Sequence, residues 1–375
     1  MNSKNTALVT GAGIAGLTTA ASLHKLGWDV HLVDRRPDPG GAIPTGLFFP
    51  ANGVRAFAAL GAADALLSRG HVIERMRLRG MGGSGEGVAW LKDVWPGVGP
   101  SMAIQRGLAL EALRSWCPVR VRAGTGVRSL TQRDGRAEVT LTDGSSAGYD
   151  LVVGADGAYS TVRGQFWPDT RACYGGESWW RGVVRCPDEL EDWSACFCAA
   201  GTFLAMPVGG GLAYWTAGQY TAASFRDPVP GRAARVRSRF SDVTGVHALV
   251  LGQVTDDARV QFSPADQVWV DMPVRGRAVL AGDAWHAATP SMAQGGSMAA
   301  EDGLVLAQEL AASADIDEAL ARYASRRRPR TAHVQETTAM RNQLAALPLA
   351  DRVSFVVPRW AELSAGSFAA LVPAP

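Results

Sequence analysis

The chain is 375 residues long with a formal net charge of +2, enough to bury a substantial core in one large or two modest domains and giving no electrostatic reason for a nucleic-acid or anionic-membrane partner. No apolar run approaches the roughly 18 residues that span a bilayer, and no secretory leader pattern precedes the first strand-like run. Cys117, Cys173, Cys186, Cys196 and Cys198 are scattered and odd in number, which argues against a disulfide framework and for a reducing cytoplasm.

The chain opens on its most informative stretch, TALVTGAGIAGLTTAASLHKLGWDVHLVD, from Thr6 to Asp34. An aliphatic run leads into Gly11, Gly13 and Gly16, then an amphipathic helix pattern to Gly27, then a second apolar run ending on an acid. Gly11 permits the tight turn, Gly13 lets the backbone approach a pyrophosphate, and Gly16 lets the helix lie close to the strand. Ile14 and Ala15 occupy the first turn of that helix, whose unpaired N–H groups and positive dipole end suit phosphate. Asp34, about 20 residues on, is placed to accept from a ribose diol. The expectation is a Rossmann-like dinucleotide site.

After a polar loop from Arg35 to Gly41, a helix is expected over Asn52 to Leu60 with Asn52 as its cap. Val72 to Trp90 reads as two strands around a glycine-rich tip, and Gln105-Arg106-Gly107 opens a helix to about Trp116. Strands follow at Val119 to Ala123, Val127 to Gln132, Ala137 to Thr142 and Tyr149 to Gly154, with turns at Asp134-Gly135 and Asp143-Gly144. LVVGADGAYSTVRGQF, Leu151 to Phe166, is a second glycine-acid element. There Asp156 can orient backbone N–H groups or a hydroxyl, and Arg163 offers a guanidinium to a phosphate or carboxylate.

From Cys173 to about Pro264 the chain is rich in Trp and Tyr on short alternating runs, which reads as an antiparallel sheet able to wall an apolar pocket. Helices over Gly231 to Phe240 and Val243 to Leu251 would cover it. Cys196 and Cys198 share a strand face, but with no histidine near in sequence they read as packed thiols, and no metal site is expected.

The third glycine-acid element runs from Gly276 to Leu310. A strand ends at Gly282-Asp283, a loop carries His286 and Pro290, and Gln294-Gly295-Gly296 opens a helix whose N-terminus can stabilise negative charge. Helices close the chain: Ile316 to about Leu347, broken at Pro329, and an amphipathic piece from Asp351 to Ala370. The cluster Arg326 to Arg330 reads as a solvated face paired with acids.

Taken together, GAGIAG with Asp34, QRGLALEAL with Arg106, GADGAYSTVR, Trp180-Arg181-Gly182, GDAWHAATP and the helix ending in RRRPR resemble the single-component flavin-dependent aromatic hydroxylases, the group of para-hydroxybenzoate, salicylate and urate hydroxylases. The resemblance runs from Ala7 to about Leu347. It implies an α/β fold in which a Rossmann-like FAD-binding domain (1–71, 91–172 and 265–347) is interleaved with a mainly antiparallel-sheet substrate domain (72–90 and 173–264), followed by a C-terminal helical segment (348–375). It further implies FAD bound at Gly11, Gly13, Gly16, Asp34, Arg35, Arg106, Asp156 and Asp283, with Gly282 beside the ribityl chain. Pro290 and the turn Gln294, Gly295, Gly296 would lie against the flavin ring. NADPH or NADH would supply hydride without a second nucleotide fold, and O₂ would be activated as a flavin C4a-hydroperoxide that hydroxylates an aromatic or heteroaromatic molecule. Candidates to assist the chemistry are Arg181, Tyr214, Tyr220 and His286. For His286, packing beside the flavin is the main alternative role.

Two departures from the family pattern stand out. Ala293 replaces the glycine before the glutamine, which is strained if that position needs positive φ, and Trp285 replaces a small residue beside the expected cofactor. Two other readings remain open: a flavin oxidoreductase that never oxygenates, and an epoxidase or Baeyer–Villiger oxygenase. A flavin halogenase would carry a GWxWxIP stretch, and Val268 to Pro273 lacks it. A non-catalytic nucleotide-binding protein would purify colourless. Monomer and homodimer are both compatible with the sequence.

Overall fold

The computed structural model describes residues 4–40, 44–133 and 135–375, so Gly41 and Asp134, placed in a loop and a turn above, lie outside the described residues. The first strand, Thr6–Thr10, sits inside a six-stranded sheet in the order Val274–Arg275, Ala278–Leu280, Leu151–Gly154, Thr6–Thr10, Asp29–Asp34, Val121–Ala123. All neighbours are parallel except the Val274–Arg275 edge. Ala7, Leu8, Val9, Val152, Val153, Ala278 and Val279 are fully buried, the continuous apolar pattern that a parallel sheet covered on both faces demands. Helix Ile14–Lys25 packs on helix Gly295–Ala312, where a Cβ on Gly303 would come within 2.6 Å of Thr18 Oγ1.

A seven-stranded sheet forms the other half: Gln261–Gln267, Cys173–Arg185, Leu212–Tyr220, Gly201–Pro207, Trp193–Cys198, Arg75–Arg79 and Glu86–Trp90. It is antiparallel apart from the pairing of Trp193–Cys198 with Arg75–Arg79. Helices Arg232–Arg239 and Val246–Gly252 pack over one face, where Cys196 and Cys198 are buried with Phe203, Trp215 and Phe240. The fold is thus the expected mixture of a Rossmann-like half and an antiparallel half with helices at the end of the chain.

Several local expectations need correction. Asn52 is not a cap: the helix spans Ala51–Leu60 behind Pro50, and the fully buried Asn52 side chain donates to Gln294 Oε1 at 2.9 Å and Glu301 Oε1 at 3.0 Å. His71–Ile73 leaves the large sheet and pairs with Ser101–Gln105, which also pairs with Gly46–Phe49; neither of the last two strands was legible. Tyr149 to Gly154 is two strands, because the chain changes sheets at Asp150, whose Oδ2 accepts from Thr6 N at 2.8 Å. The helix Ile316–Ala345 runs unbroken through Pro329, although an interior proline costs about 3 kcal/mol. Arg327 and Arg330 flank the proline and pin both sides to the same buried acid, Glu301. The last helical piece is two helices, Leu349–Val356 and Trp360–Phe368.

The RRRPR cluster is only in part a solvated face: Arg326 and Arg328 pair with acids there as expected, with Glu309 and Asp271. Arg327, by contrast, is fully buried and Arg330 nearly so.

Candidate active site

A cavity of about 1390 Å³ runs from the first glycine turn to the face of the seven-stranded sheet. At one end it is lined by Gly11, Gly13, Ile14, Ala15, Asp34, Arg35, Arg36, Arg106 and Asp156, and in its middle by Gly282, Asp283, His286, Pro290, Gln294, Gly295 and Gly296. Arg181, Tyr214 and Thr216 line the sheet end. Gly16 is the one nominated residue of the first turn outside this lining; its Cβ would lie 1.7 Å from Gly11 O, so it serves the close contact of helix and turn.

The glycine turn is tight at Gly11 and open at Gly13. Gly11 has φ +97° and its Cβ would strike Ala155 O at 2.3 Å, whereas a Cβ on Gly13 would meet nothing within 4 Å and so faces open cavity. No side chain caps the helix that starts at Ile14, leaving first-turn N–H groups available to an anion. Asp34 is buried, and its oxygens already accept from Ala12 N at 2.8 Å, Arg36 N at 2.8 Å, Arg36 Nε at 3.0 Å and Arg36 Nη2 at 2.8 Å. Burial alone would raise this carboxyl, but the Arg36 and backbone hydrogen bonds outweigh it and hold it below the usual range. A carboxylate has about four lone-pair sites, and the four N–H groups here occupy them all. Arg36, missed in the sequence reading in favour of Arg35, is the side chain that modulates Asp34.

The second glycine-acid element is mostly a brace. Asp156 accepts from Ser160 Oγ and from Thr161 N at 2.7 Å, and burial raises its carboxyl despite those bonds. Arg163 is not available to an anion: its guanidinium donates to the carbonyls of Ala284 at 2.9 Å, Thr170 at 3.3 Å and Ala158. It ties the second element to the third.

The third element carries the buried charge. Asp283 is exposed to the cavity it lines; the surrounding protein raises its carboxyl by desolvation, with the charges of His286 and Arg106 opposing. His286 Nε2 lies 2.7 Å from Asp302 Oδ2, which also accepts from Gly282 N at 2.7 Å, while Asp302 Oδ1 accepts from Arg327 Nε at 2.7 Å. Glu301 accepts from Arg327, from Arg330 Nη2 at 2.7 Å and from Asn52. Burial pushes both carboxyls up, but the surrounding cations overcome it and leave both below their ordinary values. This network fixes Gly282, His286 and, through Asn52, Gln294. Trp285 does not reach the cavity: its Nε1 donates to Val270 O at 2.9 Å and its ring packs on Tyr323, so the bulky replacement is accommodated in the core.

Ala293 is the only non-glycine residue with positive φ among the described residues, at +50°. The loop therefore keeps the left-handed turn and alanine bears the strain, of roughly 1 kcal/mol. Ala293→Gly is expected to raise stability by about 0.5 kcal/mol, since relief of that strain exceeds the added unfolded-state entropy; chemical denaturation checks this, and a loss would show that the Ala293 methyl packs more than it strains.

At the sheet end, Tyr214 is buried and Arg181 Nη1 donates to Ser263 Oγ at 2.7 Å. Burial raises the Tyr214 hydroxyl, with the Arg181 charge opposing. Gly46 passes so close beneath the Tyr214 ring that a Cβ there would be 2.5 Å from it. Tyr220 is placed elsewhere: it is 39% exposed, donates to Asn342 O and is absent from the cavity wall. The opposite wall was missed altogether. Val334, Thr337, Thr338 and Arg341 of the long helix, with Trp360 and Phe368, complete the cavity. Residues 334, 337, 338 and 341 share one helix face by their spacing, but nothing local says what that face meets.

Among the described residues no helix is long and apolar enough to cross a membrane. The family described as FAD binding domain matches residues 4–338. Aurachin C monooxygenase/isomerase of Stigmatella aurantiaca is 32% identical over 329 residues, covering 85% of this chain and 84% of its own. FAD-dependent urate hydroxylase of Klebsiella pneumoniae is 31% identical over 347 residues, covering 86% and 85%. A Klebsiella pneumoniae crystal structure holding FAD and uric acid shares the fold with a TM-score of 0.85 at 24% identity, covering 98% of this chain and 95% of that one. With a glycine turn open at Gly13 and relatives that match along most of both chains, the protein belongs to the family of FAD-dependent aromatic hydroxylases.

Proposed function

We propose that this enzyme oxygenates a planar aromatic or heteroaromatic molecule at the sheet end of the cavity, with FAD lying along the glycine turns. One observation carries the reading: a single cavity joins the open Gly13 face to an apolar chamber walled by Leu78, Trp193, Leu204, Met206, Tyr214 and Trp360. When bound, FAD accepts hydride from NAD(P)H and activates O₂. The chain supplies position, charge and dryness. Gly11, Gly13, Ile14, Ala15 and Gly16 shape the diphosphate turn; Asp34, Arg35 and Arg36 meet the adenosine end; Arg106, Asp156, Gly282 and Asp283 meet the ribityl and phosphate region. Pro290, Gln294, Gly295 and Gly296 face the ring, and the helix Gly295–Ala312 presents its positive end to negative charge there.

His286 is held by Asp302, which supports a positioning role for it rather than proton transfer. A raised Tyr214 hydroxyl stays protonated at neutral pH and acts as a donor to a substrate oxygen, while Arg181 supplies positive charge beside it. The relatives named for urate and for aurachin C act on heteroaromatic molecules by their names, which favours a fused heteroaromatic ring here. Five free cysteines support a cytoplasmic enzyme, working as a monomer or homodimer, with residues 72–90 and 173–264 and the C-terminal helices around the substrate.

The test is a screen of fused heteroaromatics for substrate-stimulated NAD(P)H oxidation and O₂ uptake, with product mass read. The expected product gains one oxygen atom. Stimulated oxidation without O₂ uptake would identify a non-oxygenating reductase, and a ring-expanded or epoxide product would identify the other oxygenase chemistries.

A further inference from the structure

Several arginines near the cavity are neutralised within the chain: half-exposed Arg36 by Asp34, and buried Arg327 and Arg330 by Glu301 and Asp302. Arg341 is not. Among the described residues no carboxylate pairs with it; it is half-buried, and loss of solvent alone lowers its guanidinium to about 10. Its Nη1 donates to Ser291 O at 2.9 Å and its Nε to Ser367 Oγ at 3.3 Å, while Nη2 is buried without a hydrogen-bond partner. The rings of Phe368 and Trp360 flank it, with centroids 5.3 Å and 6.0 Å from its Cζ. A half-buried cation that has no counter-charge and one enclosed N–H group left unpaired is suited to an anion from outside the chain.

Its surroundings point the same way. Arg341 lines the cavity beside Thr338, whose buried Oγ1 also lacks a partner, and buried, unpartnered Thr216 Oγ1 lines the sheet side. Through Ser291, the guanidinium is tied to the Pro290–Met292 turn, the segment assigned above to the flavin ring. We propose that Arg341 is the site that binds an anionic oxygen of the aromatic substrate, a carboxylate or an ionised phenol or enol, and so orients the ring against the flavin. This rests on the reading of the cavity as the substrate chamber. Arg181 lies on the sheet, with its Nη1 donating to Ser263 Oγ. In chemical terms, the enzyme should prefer acidic aromatics to their neutral isosteres.

The probes are 2-naphthoate and its neutral isostere 2-naphthamide, added to the FAD-loaded enzyme. Binding is followed by the flavin absorbance and, separately, by tryptophan fluorescence, which Trp360 makes responsive without any flavin. The wild type is expected to bind the naphthoate at least about tenfold tighter, and Arg341→Gln to weaken naphthoate by roughly 30-fold while moving naphthamide by less than about threefold. Arg341→Lys should restore part of the preference. The proposal is overturned if the wild type shows no preference, which needs no variant at all, or if the preference survives in Arg341→Gln, or if Arg181→Gln removes it while Arg341→Gln leaves it. A protein that takes up no FAD but still prefers naphthoate by fluorescence would refute the flavin placement and keep the anion site.

Discussion

Arg327→Met is expected to cost about 3–5 kcal/mol of stability, the range for removing one partner of a buried ion pair. The side chain it replaces is fully buried against two acids that are themselves fully buried, Glu301 and Asp302. Methionine fills much of the same volume, so the loss is one of charge compensation rather than packing. Thermal unfolding should show a drop of roughly 4–6 °C for a chain of this length. The pH dependence has a sign that separates this cause from a packing defect. In the native protein the Glu301 and Asp302 carboxyls sit below their ordinary values, so the stability they contribute is present above about pH 4 and is lost as pH falls through the folded values. Without Arg327, burial prevails, the carboxyls rise above their unfolded values, and the variant gains relative to wild type as pH falls from 7 toward 5. Arg328→Met, on the exposed face of the same helix with Asp271 as its partner, should cost under about 1 kcal/mol. If the two variants prove equally mild, the cluster is not the keystone described here.

That network also marks what the sequence could not disclose. The three glycine-acid elements were legible because each needs particular residues at fixed short spacing: a turn at Gly11, an open approach at Gly13, an acid at the end of the next strand. The Trp-rich antiparallel half followed from periodicity and strand propensity; the order of strands in either sheet did not. Nor did the long-range pairings. Asn52 read as a helix cap because its local context suits one, and only the fold brings Gln294 and Glu301 to its amide. RRRPR read as solvated because charge clusters usually are; nothing local shows that Glu301 and Asp302 lie beneath two of its guanidiniums. Asp34 is legible as the acid that closes the first motif, placed to accept from a ribose diol; that Arg36 already occupies it is a matter of side-chain geometry. The C-terminal wall escaped notice because Thr337, Thr338 and Arg341 sit on a helix whose apolar stripe is weak, and their cavity-facing role exists only once Trp360 and Phe368 fold back against them.

Gly13→Ala should separate cofactor binding from folding, with FAD affinity falling by about 100-fold or more, equivalent to roughly 2.7 kcal/mol. The position has φ −85°, which alanine adopts freely, and an added Cβ touches no protein atom within 4 Å. Apoprotein stability should therefore stay within about 0.5 kcal/mol of wild type, as alanine's lower unfolded-state entropy offsets its poorer behaviour at a helix cap. What the methyl enters is the space through which a diphosphate must approach the first-turn N–H groups of the helix at Ile14. Added FAD at about 1,000 times the wild-type Kd stabilises the native protein by roughly 4 kcal/mol, and the variant should lose some 2.7 kcal/mol of that gain. Gly11→Ala and Gly16→Ala provide the contrast, because their Cβ atoms would lie 2.3 Å from Ala155 O and 1.7 Å from Gly11 O; both should destabilise the apoprotein itself. A Gly13→Ala protein that purifies yellow and titrates with wild-type affinity would mean that the diphosphate does not cross this turn, and the orientation of the cofactor along the whole cavity would have to be drawn again.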